Sequence, residues 1–508
     1  MIVNQDGAVL QHVRQAGSRI CFVNPPFKSR FSRESRSPAV AKGGTLYYPH
    51  WLAYAAAYAR HRGHSIDLFD ACAPSAARID VFQRIGQSRP QLIIVNSSTP
   101  SIYSDLEFAS VLHYRFSPAP VFVVGAHASA TIKECFDYAI TKNLSIDGIL
   151  AGEYDQIVSD IADKVMRSED VRSAFGLAYV DRTGDVVRNP APPLLSDLNG
   201  WPFVSEIYRE FLSIPDYYYS HSKHPLVTII TGRGCPYRCT FCQLPQVMHG
   251  HTYRCRSADD VAREFRFIHA SLPQVKSVMI EDDTFTVDRM RVQHICQRLI
   301  DEQLTSIPWT CNARADVDIH TLKIMKRAGA RMLCVGFESG DQQILNQIRK
   351  GTRLEKIEAF VADAKKAGIM VHGCFIFGNR NETRQTMKET LDLALRLPVD
   401  TAQFFPLMLS PGTADYEFFR SSGMLVSQDF SKWNDADGNH QSTVSRPDLP
   451  SQLVERFCDH ARRRFYLRPS YILAKARQSL IDFDELRRNI KGARHLARHV
   501  VRRPGAGV

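Results

Sequence analysis

The sequence predicts an α/β protein built from two successive parallel-sheet units and a helical, basic C-terminal region. Three observations predict it. Short apolar runs alternate with segments of helical spacing over residues 18–165, and do so again from about 226 to 415. Polar or glycine-containing clusters follow those runs, as they do where strands end on the ligand-binding edge of an open parallel sheet. The length of 508 residues exceeds what one hydrophobic core supports and calls for two or three domains.

Composition narrows the class. A hydrophobic content of 44% and a charged content of 23% are those of an ordinary globular protein. The chain has no apolar run long enough to cross a membrane and no basic-then-apolar start, so neither a transmembrane helix nor a secretory signal is expected. Twelve cysteines are scattered along the chain and only three stand at ligand spacing, which does not describe a disulfide framework. A reducing cytoplasm is the expected setting, with the other nine cysteines as buried thiols. The net charge of +11 is uneven: from Arg462 onward thirteen Lys and Arg face three acids. The body is therefore close to neutral, and a nucleic-acid-binding core is not expected. No internal repeat or low-complexity tract interrupts the pattern.

The first unit, 18–165, opens with a strand at 19–23 that is stopped by Asn24, Pro25 and Pro26. A helix at 51–62 ends at Gly63, and 65–69 alternates as a second strand. The third strand, 91–95, runs into Asn96, Ser97, Ser98 and Thr99. A helix at 106–114 leads to a fourth strand, 121–124, stopped by Gly125, Ala126 and His127. A fifth at 146–150 precedes Gly152 and Glu153, and a helix at 157–165 closes the unit. The expected result is a parallel sheet with helices on both faces and a ligand crevice at those polar strand ends. Residues 166–224 read as a hairpin (176–180 and 185–188), an extended Pro-rich linker at 189–193 and an aromatic group, Tyr217, Tyr218 and Tyr219 with His221 and His224. That group fits either a site wall or packing between units.

The second unit, 225–440, starts with an apolar strand at 226–230 that runs into Cys235, Cys239 and Cys242 in CxxxCxxC spacing. Soft thiolates on one loop suit an iron–sulfur cluster or zinc, and His249 is a candidate fourth zinc donor. Three ligands with an open fourth position suit a cluster that must hold a substrate on one iron. Further strands end at Glu281, Asp282 and Asp283, near Arg314, at Glu338 and after Ile376, with a last strand at 400–407. Six βα repeats result, with polar residues at the strand ends where β/α barrels place their chemistry. The region 441–508 reads as helical with a break at Pro469. Its Leu486, Ile490, Ala493, Leu496 and Val500 recur at helical spacing among arginines, a pattern open to barrel packing, peripheral contact with an anionic membrane, or a partner. The last residues, 502–508, are expected to be disordered.

The cysteine spacing, with the aromatic Phe241 just before the third cysteine, resembles the signature loop of the radical SAM superfamily. The first unit resembles the cobalamin-binding domain of its B12-dependent branch, through Asn24, Pro25 and Pro26, the stretch 48–53, Ser97 to Thr99, the stretch 125–129, and Gly152 with Glu153. The resemblance covers about 18–475. It implies a Rossmann-like cobalamin-binding sheet followed by a partial, open (β/α)6 barrel. It also implies a 4Fe–4S cluster on Cys235, Cys239 and Cys242, S-adenosylmethionine (SAM) on its free iron, and cobalamin on the first sheet. By the same resemblance Asp282 or Asp283 accepts from the methionine ammonium and Arg314 meets the carboxylate. Glu338 accepts from the ribose, Ile376 and Phe241 flank the adenine, and Lys350 has a family counterpart. Ser97, Ser98, Thr99, Gly125, His127, Gly152 and Glu153 are the implied cobalamin contacts. Two departures stand out. The chain lacks the Asp-x-His-x-x-Gly by which B12 mutases bring histidine to cobalt, so cobalt without a histidine ligand is expected and His127 is placed beside the corrin. Arg380 and Asn381 replace a Pro and a Gly common in relatives, so no role is carried over to Glu382.

The implied activity is methyl transfer to an unactivated carbon of a small-molecule or lipid-like substrate. The 5′-deoxyadenosyl radical would abstract hydrogen, methylcobalamin would supply the methyl group, and a second SAM would restore it. An external flavodoxin- or ferredoxin-type donor would supply electrons. The alternatives are a non-methylating cyclisation or ring rearrangement, and a cluster-bearing scaffold or sensor. No protein nucleophile or other catalytic side chain is assigned, because the cofactors carry the hard chemistry. The plainer account of Arg314 and Glu338 is a structural ion pair at the barrel mouth.

Overall fold

The computed structural model describes residues 17–41 and 43–481. The first sheet contains β1 (Arg19–Asn24), β2 (Ser65–Asp70), β3 (Leu92–Asn96), β4 (Val121–Val124), β5 (Gly148–Leu150), β6 (Leu177–Val180) and β7 (Val186–Arg188). Its strand order is β2-β1-β3-β4-β5-β6-β7. The connecting helices are α1 (His50–His61), α2 (Val81–Ser88), α3 (Ile102–Arg115), α4 (Ala126–Ala130), α5 (Ile132–Thr141) and α6 (Asp155–Met166). Strands β3 and β4 are buried at every position, which is why they read as unbroken apolar runs. The order reverses between β1 and β3, and the carboxyl ends there form the crevice where open α/β sheets take ligands.

One expectation is corrected. The hairpin at 176–188, expected outside the first unit, belongs to its sheet: β6 pairs antiparallel with β5 and carries β7 with it, so the first sheet is mixed and seven-stranded. Ile149 faces Ala178 across this added edge, and a Cβ on the neighbouring Gly148 would meet the Ala178 carbonyl at 2.6 Å. After a helix α7 (Val204–Phe211), the chain enters the second unit.

That unit is a six-stranded, all-parallel sheet: β8 (Leu226–Ile229), β11 (Ser277–Ile280), β12 (Trp309–Ala313), β13 (Ala330–Glu338), β14 (Met370–Phe377) and β15 (Thr401–Pro406). A two-stranded ribbon, β9 (Gly232–Arg233) with β10 (Arg254–Cys255), follows β8. The strands lie in sequential order with β8 and β15 at the two edges, so the barrel is partial and open. Helices α8 (Ala258–Ser271), α9 (Arg289–Asp301), α10 (Ile319–Arg327), α11 (Gln342–Gln347), α12 (Leu354–Lys366) and α13 (Arg384–Arg396) return the chain between strands. After α14 (Ala414–Ser421), the helix α15 (Ser451–Tyr466) covers the β15 edge. The Tyr466 hydroxyl donates to the Ala402 carbonyl (2.6 Å) and accepts from its N–H (3.1 Å), satisfying groups that an open edge leaves bare. The break at Pro469 starts α16 (Pro469–Ile481). The apolar repeat from Leu486 to Val500 lies outside the described residues. Among those described, no helix is long and apolar enough to cross a membrane.

The two units are joined through α1, whose alanine-rich length is almost wholly buried. Near its start the Tyr48 hydroxyl donates to the Leu226 carbonyl (2.8 Å), and within it Tyr54 bonds both backbone groups of Ile230. Tyr48 in turn stacks on Tyr217, whose hydroxyl donates to Asp70. Of the aromatic group at 217–219, Tyr217 therefore serves packing, whereas Tyr218 borders the site.

Candidate active site

The carboxyl ends of the two sheets share one cavity of about 1030 Å³. On one side stand Asn96 to Thr99 after β3 and Gly125 to His127 after β4; on the other stand the cysteine loop and the strand ends of the barrel. Cys235, Cys239 and Cys242 all line it, with Phe241 between them. Burial pushes the Cys242 thiol up to about 12 against the opposing pull of Arg36. Among the described residues no three His, Cys, Asp or Glu side chains converge on a single-ion site; a cubane cluster takes one thiolate per iron. His249, the candidate zinc donor, is turned to Asp283 instead, Nδ1 to Oδ2 at 2.9 Å.

The acidic turn after β11 separates its two aspartates. Asp282 is wholly buried and accepts from the Thr231 N–H (2.5 Å) and hydroxyl (2.7 Å), which ties β11 to the start of the cysteine loop. It is not among the cavity-lining residues. Asp283 does line the cavity. Its Oδ2 accepts from the Gly234 N–H (2.8 Å) and from His249, while the buried Oδ1 has no partner. Burial would raise its carboxyl, but His249, then Arg36 and the Gly234 N–H, hold it down at about 2. Glu281 also lines the cavity with an unpartnered, buried Oε2, a feature the sequence reading passed over.

Further round the barrel Glu338 sits at φ +66 where β13 shifts register against β14. Its carboxylate meets the Lys350 ammonium at 2.7 Å, so it does not pair with Arg314. Burial pulls the Lys350 ammonium down, but Glu338 and Cys239 together offset this and hold it raised. Arg314 lies over the Tyr237 ring (3.5 Å) and donates to the Lys350 carbonyl and the Thr352 hydroxyl. Its buried Nε lacks a hydrogen-bond partner. Ile376, on β14, lines the same cavity. Glu382 is used internally, capping its own turn by accepting from the Gly378 and Asn379 N–H groups.

On the first sheet, Ser97 and Ser98 spend their hydroxyls internally, on the Val124 carbonyl and on Ser101. The Thr99 hydroxyl meets His127 Nδ1 at 3.1 Å. Gly125 has φ +123, and a Cβ there would come within 2.5 Å of the Ser97 carbonyl, so the close approach of the two loops needs glycine. Gly152 and Glu153 do not line the cavity. Gly152 donates to Ser129, and Glu153 is committed to Arg254 (2.6 Å) and Arg233 (3.2 Å). Arg233 also binds Asp155 and lies near the rings of Trp51, Tyr54 and Trp201, making a buried tie between the units just ahead of Cys235.

The loop between β1 and α1 supplies residues that the sequence pattern did not mark. Arg33 is buried in a 2.7 Å pair with Asp105. Glu34 accepts from the Trp51 and Leu52 N–H groups at the start of α1 and from the Asn96 amide. Burial pushes its carboxyl up to about 8 although these three bonds pull it down. Arg36 crosses to the acidic turn of the barrel. Polar residues in an irregular loop carry no period, so only the fold brings them together.

The chain's sequence matches the profile of the Radical SAM superfamily over residues 229–394 and that of the B12 binding domain over 36–161. The first spans the cysteine loop and most of the barrel, and the second begins after β1 and covers the crevice's strand ends at β3 and β4. The chain belongs to the cobalamin-dependent radical SAM enzymes. Two curated relatives match along nearly the same length. An uncharacterised methyltransferase of Pyrococcus horikoshii is 27% identical, over 90% of this chain and 94% of its own. The anaerobic magnesium-protoporphyrin IX monomethyl ester cyclase of Rubrivivax gelatinosus is 26% identical, over 89% of this chain and 78% of its own. The solved structure of the methyltransferase TsrM from Kitasatospora setae, with cobalamin and a [4Fe-4S] cluster bound, shares the fold. It superposes with a TM-score of 0.65 at 16% identity, covering 89% of this chain and 90% of that one. The cofactors of this radical SAM enzyme are a 4Fe–4S cluster, SAM and cobalamin. Its cavity fits them: soft thiols, the unpartnered oxygens of Asp283 and Glu281 and the Arg314 Nε all stand ready for a zwitterionic, metal-bound ligand.

Proposed function

We propose that this enzyme transfers a methyl group to an unactivated carbon of a small-molecule or lipid-like substrate. The observation that carries the reading is the single cavity: the crevice of the B12-binding sheet and the cysteine loop open onto the same space. When bound, the cluster and SAM supply a hydrogen-abstracting radical, and the corrinoid supplies the methyl group. The chain's residues bind and orient. Cys235, Cys239 and Cys242 hold the cluster, and the unpartnered Oδ1 of Asp283 accepts from the methionine ammonium, with Asp282 fixing the turn. Arg314 faces the methionine carboxylate, Glu338 the ribose, and Ile376 with Phe241 the adenine. Ser97 to Thr99, Gly125 and His127 border the corrin. Electrons come from an external flavodoxin- or ferredoxin-type donor.

The similarity to an uncharacterised methyltransferase over 90% of the chain supports methylation. The similarity to a cyclase of almost equal extent supports a second reading, oxidative cyclisation or ring rearrangement. Product analysis separates them. Anaerobically reconstituted protein given hydroxocobalamin, SAM, a reductant and its substrate is expected to form both 5′-deoxyadenosine and S-adenosylhomocysteine. Cobalamin-dependent 5′-deoxyadenosine without S-adenosylhomocysteine would overturn methylation in favour of the second reading, and formation of neither would leave a scaffold or sensor.

A further inference from the structure

The B12-binding sheet sends one cation into the barrel's half of the cavity. Arg36 belongs to the loop between β1 and α1, yet its Nη2 donates to the backbone carbonyls of Asp282 (2.9 Å) and Asp283 (3.4 Å), almost 250 residues away. Its Nε stands 3.8 Å from Glu281 Oε1, beyond hydrogen-bond reach. The side chain is 39% exposed, and it lines the cavity together with Cys235, Cys242 and Asp283. A plain tie between units would bury its fork against a carboxylate, as Arg233 does. Arg36 instead uses one nitrogen to fix the acidic turn, and its Nη1 has no partner among the described residues.

The loop that carries Arg36 is itself fastened. Arg33 is pinned by Asp105 at 2.7 Å, and Glu34 is held by the first turn of α1 and by Asn96 at the crevice. The guanidinium is therefore presented by a segment anchored on the B12-binding sheet, with little freedom to swing away.

We propose that Arg36 is a positioning residue of the radical site, supplied by the B12-binding unit: it holds the Glu281–Asp283 turn so that Asp283 faces SAM, and keeps a fixed positive charge beside the cluster thiols. This rests on the reading that Cys235, Cys239 and Cys242 hold the cluster and Asp283 meets SAM. Losing the guanidinium removes this donor from the Asp283 carbonyl, leaves the Asp282 carbonyl to the Asn312 amide (3.2 Å), and removes the cation. A charged hydrogen-bonding group of this kind is worth about tenfold or more in binding.

The test uses full-length protein reconstituted with iron and sulfide, without corrinoid, and reads properties other than turnover. Arg36→Gln is expected to retain its iron, to bind SAM about tenfold more weakly by the change in the reduced cluster's EPR spectrum, and to shift the cluster midpoint potential to more negative values. Arg36→Lys keeps the charge and loses the fork, so its potential should stay near that of the parent while SAM binding remains weakened. Parent-like SAM affinity and potential in Arg36→Gln would overturn the inference. If that variant fails to take up iron, parent-like SAM affinity in Arg36→Lys would overturn it equally. A parent protein that takes up no cluster would defeat the underlying reading, independently of any Arg36 variant, and the inference with it.

Discussion

The Glu338 carboxylate and the Lys350 ammonium meet at 2.7 Å in a buried pair laid directly over Gly336. A Cβ on Gly336 would stand 2.1 Å from Glu338 Oε1 and 2.9 Å from Lys350 Nζ, so the pair exists because that residue has no side chain. Removing one partner leaves an uncompensated buried charge, which costs about 3–5 kcal/mol. Lys350→Met is therefore expected to lower the unfolding midpoint markedly, and Lys350→Met with Glu338→Gln to lower it less. Chemical denaturation of the apo protein checks this, and additive losses would show that the pair is not coupled. Gly336→Ala should displace the pair and weaken SAM binding.

Replacing Cys235, Cys239 and Cys242 together by alanine is expected to abolish the visible absorption of the reconstituted cluster and all SAM cleavage. The loop backbone should survive, because its anchors are Asp282 to Thr231 and Asp283 to Gly234 rather than the thiols. Iron retained at the parent level in the triple variant would place the ligands elsewhere, and zinc recovered in place of iron would restore the zinc reading of the loop.

Glu34 gives the first unit a pH dependence of definite sign. Burial raises its carboxyl to about 8, above the unfolded value near 4.5, so the folded state binds the extra proton between these limits. Stability from this group is then greatest below pH 4.5 and is lost as pH rises towards 8, by up to about 1.4 kcal/mol per pH unit. Glu34→Gln should flatten that slope in thermal unfolding followed from pH 5 to pH 8. An unchanged slope would mean that the three N–H donors keep the carboxylate ionised in the folded protein.

Much of the fold was legible because its strands are buried on both faces and its breaks are marked: β1 by Asn24 to Pro26, β4 by Gly125, α1 by Gly63. The hairpin was legible as a hairpin but not as the edge of the first sheet. Nothing in β6 or β7 encodes the antiparallel partner, which is set by the packing of β5. In the site, cysteine spacing is local and readable, whereas pairing across the cavity is not. Glu153 sits at a strand end like its neighbours, yet Arg233 and Arg254, some 80 and 100 residues away, draw it into a tie between units. Asp282 and Asp283 adjoin in one turn, and only the partners Thr231 and His249 tell them apart. Glu34 and Arg36 lie in a loop without periodicity, where chemistry appears only once the two sheets are placed.

His127 lines the cavity at the strand ends that would border the corrin, and the absence of an Asp-x-His-x-x-Gly leaves it the tempting cobalt ligand. Its surroundings argue for a packing role. Nδ1 meets the Thr99 hydroxyl at 3.1 Å, and the ring stands edge-on to Phe430 with centroids 4.6 Å apart. At the switch point between β1 and β3 the cavity is lined by Arg33, Glu34 and Asn96, with Arg33 paired to Asp105 and Glu34 bonded to Asn96. Burial lowers the His127 imidazole to about 3, so the folded protein holds it neutral. Its contribution to stability is intact above the unfolded value near 6.5 and is lost as pH falls from there towards 3. His127→Ala is expected to remove that acid-side slope and to destabilise the first unit through the lost ring. The absorption spectrum of bound hydroxocobalamin, read at pH 7.5 in parent and variant, should be the same in both. A shift of the cobalt-sensitive bands in the variant alone would make His127 a ligand and overturn the packing role.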